Sequence, residues 1–96
     1  MKGVTKQELE IIKNILLPFE GKYKFYAYGS RTKGNFRPLS DLDLMIKGET
    51  NANLNDIENL KELFDKSNLS YIVNICDYYN LSESFYDTIK QDLVEI

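Results

Sequence analysis

The stretch Asp41-Leu42-Asp43-Leu44-Met45-Ile46 leaves a folding chain few choices. Acid and leucine alternate with the period of an extended strand, so both carboxylates project from one face and both leucines from the other. Two neighbouring acids repel each other and are costly to bury. The spacing makes sense mainly where a hard divalent cation, magnesium above all, sits between them. A bare Asp-x-Asp is more often a turn end followed by a solvated strand residue. What precedes this one tips the balance. A hydrophobic run ends at Tyr28 on Gly29-Ser30, where a residue without a side chain lets the backbone approach a ligand and a hydroxyl stands beside it, as at a phosphate site. Ten residues separate Ser30 from Asp41, and Arg31 and Lys33 are among them.

The elements around this stretch follow from periodicity. Thr5 with Glu8 three residues on is a capping box, and Leu9, Ile12, Ile15, Leu16 and Phe19 mark the apolar side of a helix from about Lys6 to Leu17, ended with help from Pro18. Tyr23 to Tyr28 reads as an aromatic-rich strand, whose Phe25, Tyr26 and Tyr28 are more often core than a base-stacking site. Arg31 to Gly34 forms a short helical turn whose free N–H groups would face a phosphate near Ser30. Arg31 and Lys33 would then be the nearest cations to a triphosphate, or else solvated loop charges. Phe36-Arg37-Pro38 breaks regular structure, and Leu42 to Ile46 is the carboxylate strand, ended by Gly48. Asn55 with Glu58 caps a second long helix reaching Ser67, with Ile57, Leu60, Leu63 and Phe64 on its apolar side. Ser70 to Cys76 is a third strand, Val73 and Ile75 sharing one face and Ile72, Asn74 and Cys76 the other. Ser82 opens a helix through Lys90 with Phe85 and Ile89 inward, and Leu93 to Ile96 can add an edge strand. This order predicts an α+β fold: a small mixed sheet, helices packed on one face, the site on the other.

Ninety-six residues make one domain, 1–96, large enough for its own core. Twelve Lys and Arg against fifteen Asp and Glu give a net charge of −3, which argues against direct nucleic-acid binding and favours a basic protein partner. The single Cys76 can form no internal disulfide, fits a reducing cytoplasm, and reads as a packing residue. With no histidine, a Ser-His-Asp hydrolase is excluded. No run has signal-peptide or membrane-spanning length.

Gly29-Ser30, ten residues, then Asp41-Leu42-Asp43 resembles the signature of the polymerase-beta-like nucleotidyltransferases. The string from Gly29 to Leu44 is more narrowly similar to the minimal nucleotidyltransferases, stand-alone domains that act as antitoxins to a helical HEPN partner. The resemblance implies that Gly29 and Ser30 cradle the phosphates of ATP and that Asp41 and Asp43 are catalytic and hold magnesium, two ions in the family. It implies transfer of AMP to a hydroxyl of the partner. The family's third carboxylate, from a pattern like Val-Asp-Leu-Val-Asp, falls here on Asn74 within Val73-Asn74-Ile75-Cys76-Asp77. An amide oxygen can coordinate a metal but carries no charge and accepts no proton from an acceptor hydroxyl. Two further readings therefore stand beside the enzyme: an antitoxin that neutralises its partner by binding alone, and a nucleotide-binding regulator.

Overall fold

A computed structural model describes residues 1–96. In chain order the elements are α1 (Lys6–Leu16), β1 (Lys24–Tyr28), α2 (Ser30–Lys33), β2 (Leu42–Lys47), α3 (Leu54–Asp65), β3 (Val73–Asp77), α4 (Glu83–Ile89) and β4 (Val94–Glu95). The sheet order is β3-β2-β1-β4. β1 lies antiparallel to both β2 and β4, while β2 and β3 run parallel, which requires a crossover that α3 supplies. The sheet is mixed, as the sequence predicts, and β2, with Asp43 inside it and Asp41 just before it, is an inner strand. No helix is long and apolar enough to cross a membrane.

One face of the sheet is sealed. Phe25 and Ala27 of β1, Leu42, Leu44 and Ile46 of β2 and Val73 of β3 form one buried cluster with Ile12 and Leu16 of α1 and Leu60 and Phe64 of α3. The residues between them, Tyr26, Tyr28, Asp43 and Asn74, point the other way. α1 and α3 thus occupy the face opposite the site, as expected. α4 reaches the site's own face, where Phe85 meets Tyr28 edge-on at 6.0 Å between ring centroids. Met45 on that face is buried, and so is Ile89, one turn along α4 from Phe85.

Several boundaries differ from the periodicity reading for local reasons. The Thr5 and Glu8 capping box is present, but α1 stops at Leu16 and Leu17–Phe19 tighten into a 3-10 turn, because Pro18 brings no N–H to an α-helical ladder. α3 is capped by Asn53 rather than Asn55: the Asn53 side-chain oxygen accepts from the Asn55 N–H at 2.8 Å. It ends at Asp65, and the Ser67 hydroxyl beyond it donates to the Phe64 carbonyl at 2.6 Å. β3 begins at Val73 instead of Ser70, since Tyr71 turns into the interior beneath Arg31, and it runs on to Asp77. The Asp77 carboxylate is buried on the core side, accepting from the backbone of Ala52 at 2.7 Å and of Tyr79 at 3.1 Å. That is the face to which strand alternation assigns it.

Candidate active site

The last residue of β1, Tyr28, pairs with Asp43, so Gly29 leaves the sheet beside that carboxylate. Gly29 sits at φ +89° and ψ −163°, a region essentially reserved for glycine. A β-carbon there would lie 2.6 Å from Asp43 Oδ2. Conformation and contact thus both require a missing side chain. Gly29 also starts α2: its carbonyl accepts from Lys33 N at 3.3 Å and from the Thr32 hydroxyl at 2.7 Å. The N–H groups of Ser30 and Arg31 precede the first rung of that ladder and have no helical acceptor. The turn ends at Gly34, at φ +91°.

Parallel pairing of β2 with β3 sets Asp43 opposite Asn74. The Asn74 amide nitrogen donates to Asp41 Oδ2 at 2.9 Å and to Asp43 Oδ1 at 3.2 Å. A single nitrogen is therefore within hydrogen-bond reach of both carboxylates, and the partial positive charge on its hydrogens offsets their repulsion. Two convergent carboxylates with an amide oxygen available on rotation form a hard-oxygen donor set that fits magnesium. No third acid, cysteine or histidine joins them. Burial raises the Asp43 pKa, the hydrogen bond from Asn74 pulls it back down, and the charge on Asp41 adds to the rise.

Not every residue singled out from the sequence reaches the site in the expected way. Arg31 is 3% exposed, and its guanidinium is engaged with the carbonyls of Gly3, Arg37, Pro38 and Ser40. The expectation of a free cation for phosphate is corrected for this side chain, because a guanidinium that satisfies four carbonyls and stacks on Tyr71 is anchored inward. Lys33 stays at the surface, in an ion pair with Asp92 at 3.2 Å. Of the three aromatics in β1, Phe25 is core as expected, whereas Tyr28 lies on the site's face. Its hydroxyl is 3.3 Å from the sulfur of half-buried Cys76, and burial raises the pKa of both groups. A signal for Tyr28 existed: it immediately precedes Gly29 in the alternate register from buried Ala27.

The family model for polymerase beta nucleotidyltransferases matches residues 10–96. The chain belongs to that family. This nucleotidyltransferase is 37% identical over 93 residues to a "Probable protein adenylyltransferase MntA" of Haemophilus influenzae, covering 97% of its own length and 82% of the relative's. That likeness places it among the minimal nucleotidyltransferases. A crystal structure of a toxin-antitoxin with AMP-PNP has the same fold, with a TM-score of 0.70 over 90% of this chain and 69% of that one, at 19% identity.

Proposed function

We propose that this nucleotidyltransferase transfers AMP from ATP to a hydroxyl of a helical HEPN-type protein and thereby acts as its cytoplasmic antitoxin. The observation that carries the reading is the contact at Gly29, whose absent side chain leaves the start of α2 against Asp43. Phosphate turn and carboxylate pair are then one site. The 37% identical relative, named as a protein adenylyltransferase, supports AMP as the group moved. Gly29 lets the backbone close on the triphosphate, the Ser30 hydroxyl and the free N–H groups of Ser30 and Arg31 donate to it, and Lys33 is the side-chain cation near the turn. Magnesium, one or two ions held by Asp41 and Asp43 with Asn74 in the third-ligand place, would activate the acceptor hydroxyl and neutralise the departing pyrophosphate.

Asn74 gives a second reading its basis. It brings neither the charge nor the proton-accepting oxygen of a third carboxylate, which favours an antitoxin that neutralises by binding alone. Incubation of the co-purified pair with α-labelled ATP and magnesium separates the two. The transferase reading expects label on the partner, its loss in Asp41→Asn with Asp43→Asn, and transfer faster by about 10²- to 10⁴-fold in Asn74→Asp, the usual range for general-base help. A blank transfer assay, with growth protection surviving the double substitution, would sink it in favour of binding.

A further inference from the structure

Asp43 and Asn74 stand inside paired strands, whereas Asp41 lies one residue before β2 and is exposed. Its placement depends on its two neighbours. On one side, the Leu42 N–H donates to the Ile72 carbonyl at 2.9 Å, which fixes the start of β2 against the approach to β3. On the other, the Ser40 carbonyl accepts from Arg31 Nε at 2.7 Å. The remaining donors of Arg31 hold the same loop and one more segment. One terminal nitrogen donates to Pro38 O at 2.9 Å and Arg37 O at 3.3 Å, the other to Gly3 O at 2.6 Å. The loop itself is a closed turn, with Ser40 N donating to Arg37 O at 3.0 Å and Arg37 N donating to Ser40 Oγ at 2.8 Å.

Burying a cation without a carboxylate partner is costly unless its donors are satisfied. Here four carbonyls and two aromatic faces do so: the guanidinium carbon lies 3.6 Å from the Tyr71 ring centroid and 5.3 Å from that of Phe36. A planar fork can span these partners, and a lysine ammonium of the same charge cannot. The N-terminal segment is locked into the clamp from both sides. Gly3 N donates to Arg31 O at 2.7 Å, and a β-carbon on Gly3 would come within 2.7 Å of Arg31 Cα.

We infer that Arg31 is a positioning residue for the carboxylate pair: through the Ser40 carbonyl it holds Asp41 where Asn74 and a shared cation can meet it, with Gly3 closing the clamp. The functional part of this inference rests on the metal-dependent reading above; the placement of Asp41 does not. The side-chain amide of Asn74 reports the arrangement directly, because it bridges Asp41 and Asp43. In ¹⁵N-labelled protein, with this resonance assigned by its loss in Asn74→Ala, Arg31→Lys should move one amide proton to the position it takes in Asp41→Ala. The backbone amides of β1 and β2 should stay in place. A folded Arg31→Lys with both Asn74 protons at their native shifts would overturn the inference, as would equal displacement throughout the sheet. Should Arg31→Lys not fold, Gly3→Ala, which presses on the Arg31 backbone without removing a charge, should displace the same proton by less; native shifts there would also overturn it. Magnesium titration on the same resonance reads the functional part. Loss of a residue that orients a ligand typically weakens metal affinity by about 10- to 100-fold, and Arg31→Lys should fall in that range. Native protein whose Asn74 resonance ignores magnesium would contradict the metal reading, while the shift without magnesium would still decide the role of Arg31.

Discussion

Gly29 and Ser30 are adjacent in sequence and unequal in what they tolerate. A side chain at Gly29 must adopt a backbone region that costs about 1–3 kcal/mol for other residues, and its β-carbon must displace the Asp43 carboxylate. Ser30→Ala removes one hydroxyl whose hydrogen bond contributes about 0.5–1.5 kcal/mol. Titration with ATP and magnesium should therefore rank Gly29→Ala as the more damaging, with Ser30→Ala retaining weaker binding; the reverse order in folded variants would count against the phosphate turn. Asp43 carries the pH dependence. Its folded pKa is raised, first by burial, so the folded state binds this proton more tightly than the unfolded one. The carboxyl's contribution to folding accordingly declines as pH rises through the folded value, and cation binding fails on acidification at a higher pH than an exposed aspartate would dictate. Asn74→Ala removes the hydrogen bond that lowers this pKa, so a carboxyl NMR titration should find Asp43 shifted further upward; a downward shift would mean that Asn74 is not its partner. That Gly29, Asp41 and Asp43 come together was legible from sequence because the pattern that places them is local. The anchoring of Arg31 was not, since its partners come from residues 3, 37, 38, 40 and 71, and no periodicity records them.

At the scale of elements, caps and strand ends decide how the site is presented. α1 could be read almost residue by residue because the Thr5 and Glu8 side chains each accept from the other's backbone N–H within one turn. α3 could not, as Asn53 and Asn55 offer the same chemistry two positions apart and only the folded loop selects between them. Replacing an asparagine cap with alanine typically costs about 0.5–2 kcal/mol, so urea denaturation should show that loss for Asn53→Ala and a change within about 0.5 kcal/mol for Asn55→Ala. Equal losses would mean the helix does not start where Asn53 puts it. The late start of β3 has the same lesson in tertiary form: Ser70 to Ile72 has strand-like composition, but Tyr71 buries its ring against Arg31 and leaves the ladder to begin at Val73. Burial pushes the Tyr71 hydroxyl up to about 12, as expected of a ring used for packing.

For the whole molecule, strand order explains how the candidate residues come together. With β2 between β1 and β3, the turn at Gly29, Asp41 and Asp43, and the amide of Asn74 meet at one end of the sheet. α1 and α3 seal the opposite face, and Asp41 and Asn74 remain exposed. The mixed α+β class followed from the order of elements, and the shared face of Asp43 and Asn74 from alternation. The position of α4 did not, because Phe85 and Ile89 would suit either face and only the connection after β3 brings Phe85 to Tyr28. The central claim is that turn and carboxylates form one metal-dependent nucleotide site. Calorimetric titration of ATP, with magnesium and then with chelator, into the native chain and into the Asp41→Asn, Asp43→Asn double variant tests it most directly. The double substitution should leave the protein folded, since it removes mutual repulsion, and should abolish the magnesium-dependent part of binding. Unchanged, chelator-insensitive affinity in the double variant would contradict the claim.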